Sequence, residues 1–192
     1  MNKTFVVCLV IFLAGIFQLS ASYAQTKVGA NLLAEFSNDV NGLAAGFGLV
    51  IDHKLTPKSG IESGLYYRTY QTGGYVNVIF ENGGNAIYFF DINEQYISLP
   101  ILYKYHTKIV NLAIGPTLEY YVGWNQINGE PEVTVDDHSI SPRFGLGMML
   151  KVSRSIPLSS QLSLEPELRF NPILSSGKTF GGLGVALKYE LK

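Results

Sequence analysis

Cysteine is nearly missing from this 192-residue chain, which has one, Cys8. It lies inside an early apolar run, too far forward to be a lipid-modified cysteine at a cleavage site. The rest of the chain therefore has no disulfide framework and no thiolate metal site. Charge is scarce as well. Asp, Glu, Lys and Arg make up 15% of the residues, against about 25% in an ordinary soluble domain. Their balance leaves a net charge of −1, which removes nucleic acid from the candidate partners. Past the opening segment, no apolar run approaches the roughly 20 residues of a membrane helix. What is abundant instead is glycine (20), tyrosine (12) and phenylalanine (11).

The chain opens MNKTFVVCLVIFLAGIFQLSASYAQ. Lys3 supplies a short positive start, an apolar run follows, and Ser22 and Ala24 are small at the two positions that precede a cleavage site. That is the layout of a secretory signal peptide over residues 1–24. The run is short for an anchor and is interrupted by Gly15 and Gln18. Residues 25–192 then form a single domain.

That domain is patterned in twos. In YISLPILYKYH (residues 96–106), Ile97, Leu99, Ile101, Tyr103 and Tyr105 share one face, while Ser98, Pro100, Leu102, Lys104 and His106 share the other. The same alternation marks eight strands at roughly 27–36, 43–53, 60–71, 95–106, 109–123, 140–153, 161–171 and 180–191. Most have the roughly 9–11 residues that a tilted strand needs to cross a bilayer. Short turns alternate with longer connections. The pattern predicts an all-β fold, an eight-stranded antiparallel transmembrane β-barrel of the cell outer membrane with both ends in the periplasm.

One face of every strand is free of formal charge. The other carries Glu35, Asp52, Glu62, Arg68, Lys104, Glu119, Arg143, Lys151, Glu165, Glu167, Arg169 and Lys188, which are six acids and six bases. Lys27 and Glu190 lie on this face at the segment ends, where they would cancel. Alternation alone does not say which face points out, and a lipocalin-like barrel would put the apolar face inside. Glycine decides it. Gly29, Gly46, Gly48, Gly64, Gly115, Gly145, Gly147, Gly182 and Gly184 all lie on the charged face. Glycine weakens a water-facing strand but relieves crowding inside a narrow barrel. Equal numbers of opposite charges suit an enclosed network. The charged face is therefore expected in the lumen and the apolar face in lipid.

Aromatics on the apolar face gather at two levels. Phe36, Tyr67, Tyr120, Trp124, Phe144 and Phe170 fall near the outer rim, and Tyr103, Tyr105 and Tyr189 near the inner rim. Two girdles are what bilayer interfaces select. Pro100, Pro116, Pro142 and Pro166 cannot donate to a ladder. Bulges, or the end of a neighbouring strand, are expected there.

The strand YISLPILYKYH resembles the "Y-x-x-I/L-P-x-L-L-K-Y" strand of the PorT-like outer-membrane β-barrel proteins. VNLAIGPTLEYY, FGLGMML and GGLGVALKY are similar to the glycine-rich strands of that family. The resemblance covers most of residues 25–192 and implies a small outer-membrane barrel, inserted by the barrel-insertion machinery, with no catalytic residues to carry over. The chain departs from the terminal aromatic common in such barrels, since it ends Tyr189-Glu190-Leu191-Lys192.

Chemistry is thin. His138 lies beside Asp136, Asp137 and Ser139, but neighbours on one extended loop do not make a triad. Glu130, Glu132, Asp136 and Asp137 are acidic without the spacing of a calcium loop, which favours a solvated loop over a metal site. No cofactor is expected. The most unusual segment is YVNVIFENGGNAIYFF (residues 75–90), two strand-like runs about Asn82-Gly83-Gly84-Asn85. It reads as a hairpin that extends the barrel beyond the membrane. Tyr75, Ile79, Phe80, Tyr88, Phe89 and, at the rim, Trp124 are its candidate partner-binding residues. Packing against the next long loop is the alternative role for them. The expected function is a non-enzymatic barrel, structural or binding a peptide, glycan or protein through its extracellular loops. The alternative is a rim enzyme acting on lipid or peptide. A diffusion pore is disfavoured, because side chains fill an eight-stranded lumen.

Overall fold

The structure, a computed structural model, describes residues 25–37, 43–79, 84–129 and 142–191. Among them, eight long strands run antiparallel: β1 (Gln25–Ser37), β2 (Leu43–Lys54), β3 (Ser59–Ile79), β4 (Asn85–His106), β5 (Asn111–Gly129), β6 (Phe144–Ser153), β7 (Leu162–Pro172) and β8 (Thr179–Leu191). Each pairs with the next, and β8 pairs with β1 from Thr26↔Leu191 to Ser37↔Phe180, which closes the ring. A two-residue piece, Ile156–Pro157, continues the β6–β7 hairpin against Leu164 and Ser163. The signal segment 1–24 lies outside the described residues, as do Phe80, Glu130, Glu132, Asp136, Asp137 and His138.

The alternation of the sequence becomes an inside and an outside. Leu32, Phe47, Leu49, Leu65, Ile114, Leu118, Leu146 and Leu183 are exposed on the outer wall. Their neighbours one residue along are buried inside. The interior is narrow enough to need glycine at the ring of Tyr66, which lies against Gly48 and Gly64. A Cβ at Gly64 would stand 2.6 Å from Tyr66 Cε2. An apolar surface of this extent is stable only against hydrocarbon.

β3, β4 and β5 are longer than their sequence patterns suggested. The expected hairpin over residues 75–90 is continuous with β3 and β4, whose register runs unbroken from Thr72↔Ile92 to Ile79↔Asn85. β6 starts later than expected, at Phe144.

The prolines interrupt ladders. Pairing of β3 with β4 skips Gly64 and Leu65 opposite Pro100, and pairing of β4 with β5 skips Ile101 and Leu102 opposite Pro116. Pro166 lies beyond the end of β6, its carbonyl accepting from the Arg154 N–H at 3.1 Å. Pro142 lies in the bend before β6. The register shifts of the β4–β5 pair lie elsewhere, between Asp91 and Ile92 and between Gln95 and Tyr96.

Candidate functional site

The polar chemistry of the described residues lies in the lumen and at its two mouths, the outer one bearing the protruding hairpin. In the lumen, seven carboxylates are buried (Glu35, Asp52, Glu62, Glu94, Glu119, Glu165 and Glu167), and so are five cations (Arg68, Lys104, Lys151, Arg169 and Lys188). Burying an unpaired ion costs several kcal/mol, so the arrangement of partners decides whether such an interior can exist.

The pairing is dense. Lys104 Nζ donates to Asp52 at 2.5 Å, Glu165 at 2.7 Å and Glu62 at 3.0 Å. Lys188 Nζ meets the same three carboxylates at 3.1, 2.8 and 2.9 Å. Lys151 contacts Glu62 and, at 2.9 Å, Glu167. Glu167 also holds Arg169 at 2.9 Å and accepts from Asn31 at 2.8 Å. These side chains come from seven of the eight strands and join opposite walls. Carboxylate oxygens of Asp52, Glu62 and Glu165 lie within 4.8 Å of one another. That spacing would suit a metal ion, but the ammonium groups of Lys104 and Lys188 already sit among them and supply the positive charge.

Nearer the outer end, Arg68 bridges Glu35 at 2.8 Å and Glu119 at 3.1 Å, with its guanidinium 4.3 Å from the Phe180 ring centroid. Glu119 also accepts from Ser98 at 2.7 Å and Asn171 at 3.3 Å. At the mouth, Glu94 accepts from the Tyr96 hydroxyl at 2.6 Å and from Lys178 Nζ at 3.0 Å. A cavity of about 380 Å³ opens there among Tyr96, Tyr121, Arg143, Ile173 and Phe180.

Eleven of the twelve charges expected inside are buried there. Arg143 is the exception and a correction. It is exposed in the bend before β6, because the strand alternation starts only at Phe144. Sequence reading missed Glu94 and Lys178, since both fell in segments read as loops. Lys27 and Glu190, expected to cancel at the segment ends, lie opposite each other across the β1–β8 seam at 3.7 Å.

The protruding hairpin has two faces. On the outward face of β4, Ile101, Leu99 and Ile97 give way to Gln95, Asn93 and Asp91, and then to Phe89 and Ile87. On β3, Leu65 and Tyr67 give way to Thr69, Gln71 and Gly73, and then to Tyr75. A polar band, in which Gln95 donates to Asn125 at 3.0 Å, therefore separates the lipid-facing wall from a second apolar patch. In that patch Tyr75 is 70% exposed and lies opposite Phe89, 67% exposed. At about 3.3 Å per residue, the eight positions from Ile97 to Phe89 carry the patch well past the bilayer core even when the strand tilts.

Of the other expected binding residues, Tyr88 is half-buried on the hairpin's opposite face, and Ile79 pairs through its backbone with Asn85. Trp124 is a second correction. Val122 is an extra residue opposite the Gln95/Tyr96 step, so Trp124 pairs with Glu94 and takes the lumen-side face instead of the lipid girdle. Phe36, Tyr120, Phe144 and Phe170 do face outward at the outer rim, as Tyr103, Tyr105 and Tyr189 do at the inner. Tyr120 and Phe144 pack with ring centroids 4.8 Å apart.

The closed ring, the apolar outer wall and the lumen filled with paired charge define a small transmembrane β-barrel of the outer-membrane type. No family model matches the sequence, and no curated protein does. Among solved structures, the chain is similar to Ail, the attachment invasion locus protein of Yersinia pestis, at 10% identity over 88% of this chain and 97% of that one, with a TM-score of 0.48. It is similar to Neisserial surface protein A at 12% identity, over 88% and 97% of the two chains, with a TM-score of 0.48. The N-terminal β-barrel domain of Pseudomonas aeruginosa OprF follows at 14% identity, over 86% and 99%, with a TM-score of 0.47. Identities this low leave activity and ligand unassigned.

Proposed function

We propose that the chain is exported by cleavage of residues 1–24 and works in the outer membrane as a small, non-enzymatic, PorT-like barrel that binds a partner through its outer hairpin. The observation that carries this reading is the patch of Tyr75, Ile87 and Phe89, exposed above a polar band and beyond the reach of lipid. Aromatic side chains offer large contact area at little cost in rotamer entropy, which is why they concentrate at interfaces. The lumen is filled by ion pairs, and the lipid-facing wall is generic apolar surface. Of the two mouths, the outer one carries the exposed aromatic patch, which makes it the place for recognition of a partner. A peptide, a glycan or a partner protein fits such a surface.

The test replaces residues 74–90 by an Asn-Gly turn between Gly73 and Asp91, which face each other in the ladder. The shortened barrel should still insert and migrate differently on unheated and heated gels. A strain carrying only this form should lose whatever phenotype depends on the protein. Full complementation by the inserted, shortened barrel would show the hairpin to be dispensable and end this assignment.

A further inference from the structure

The opposite mouth, at the end bearing Gln25 and Leu191, holds a cavity of about 660 Å³. Five lysines line it: Lys27, Lys54, Lys58 and Lys108 around the opening and Lys104 at the floor. The lining carboxylates are Asp52 and Glu165, and each already holds the ammonium groups of both Lys104 and Lys188. At the opening, Lys27 has Glu190 at 3.7 Å. Lys54, Lys58 and Lys108 have no acidic partner among the described residues. The two turns that carry Lys58 and Lys108 are tied together, because the His106 N–H donates to the Lys58 carbonyl at 2.8 Å. Several uncompensated positive charges thus ring one open-mouthed cavity, and a cleft lined by one sign of charge focuses their field into it.

The kind of cation specifies the kind of anion. No arginine lines the cavity, so it offers no planar fork for a carboxylate. Lysines act as point charges and favour anions of high charge density. We propose that this mouth is a binding site for a compact, multivalent phosphate group. The group can come from a soluble anion or from the headgroup of a lipid in the adjacent leaflet. The site is independent of the outer hairpin.

The test uses the protein reconstituted in nanodiscs of zwitterionic lipid and titrated with sodium pyrophosphate by calorimetry at low ionic strength. Saturable one-to-one binding is expected. Lys54→Gln combined with Lys108→Gln should weaken it by about ten-fold or more, since each charge-assisted contact is among the stronger hydrogen bonds. Arg154→Gln changes an exposed cation that does not line the cavity and should leave the affinity unchanged. All variants are first checked for heat-modifiable migration, and the rim positions are open enough that folding should survive. Discs rich in phosphatidic acid, whose headgroup is a phosphate monoester able to carry two charges, separate the two sources. Competition that weakens pyrophosphate by about ten-fold identifies the lipid headgroup, and affinity within about two-fold identifies a soluble anion. Absence of saturable binding up to about 10 mM, or a loss with Arg154→Gln equal to that of the lysine pair, overturns the proposal.

Discussion

Glu62 is the carboxylate on which the lumen converges, touching Lys104, Lys151 and Lys188 while almost fully buried. Its removal leaves three ammonium groups sharing fewer acceptors in a closed space. Breaking a buried pair from one side costs about 3–5 kcal/mol. Glu62→Ala should therefore lower stability by about that amount, read as the shift in urea midpoint for unfolding from lipid vesicles. Lys178→Met removes the partner of Glu94 at the mouth, where the lysine side chain is 18% exposed. Water reaches the lysine, but the Glu94 side chain is only 3% exposed and keeps the Tyr96 hydroxyl, so the loss should cost about 1–3 kcal/mol, less than that of Glu62. Equal effects of the two substitutions would contradict the layering described for the lumen. The alternation of the strands already placed Glu62, Lys104 and Lys188 on one face. It did not pair them, because Lys188 reaches Glu62 and Asp52 only when β8 closes on β1, across separations of 126 and 136 residues.

At the scale of elements, the strands, their faces and the short turns were legible in the sequence, because each rests on a period of two that local chemistry enforces. The departures lie where one residue changes the phase. Val122 is inserted opposite the Gln95/Tyr96 step and moves Trp124 from the lipid face to the lumen side. Nothing in YYVGWNQ announces which residue bulges, since Gly123 is the only local marker of irregularity. Trp124 is the only tryptophan in the chain, so its fluorescence reports the bulge directly. Lipids brominated on their acyl chains should quench it weakly. Deleting Val122 removes only the extra residue, leaving Gly123 opposite Gln95 and Trp124 opposite Glu94, so quenching should stay weak. Strong quenching in the unaltered chain would place Trp124 in the girdle and remove the bulge.

The length of β3 and β4 was also only partly legible. The hairpin at residues 75–90 was marked by its turn residues, but Thr72, Gly73, Asp91 and Asn93 look like loop in sequence. They are strand because their partners across the ladder hold them. This is a tertiary override of weak local preference. Arg143 was misplaced for the converse reason. Pro142 and Arg143 lie in a bend, and the alternation begins only at Phe144, after Arg143 and not before it as the pattern suggested.

For the whole molecule, the account makes the barrel a wall with an interior packed with ion pairs. Side chains from opposite walls meet at Asp52, Glu62, Lys104, Lys151, Glu165 and Lys188. Planar-bilayer recordings of the purified protein should show no large, stable open channel. Porin-like conductance would mean that the ion pairs do not span the lumen.

The central claim is that the charged, glycine-bearing face is inside and the apolar face meets lipid. With Cys8 confined to the segment expected to be removed, single cysteines can be placed along β5 without background. Spin labels at positions 112, 113, 114, 116, 117 and 118, in protein reconstituted in vesicles, would be measured for collision with oxygen, which concentrates in hydrocarbon, and with a water-soluble nickel chelate. Oxygen accessibility should be high at Leu112, Ile114, Pro116 and Leu118 and low at Ala113 and Thr117, following the observed exposure. The reverse phase, with nickel reaching the even-numbered positions and oxygen the odd, would turn the barrel inside out and contradict the account.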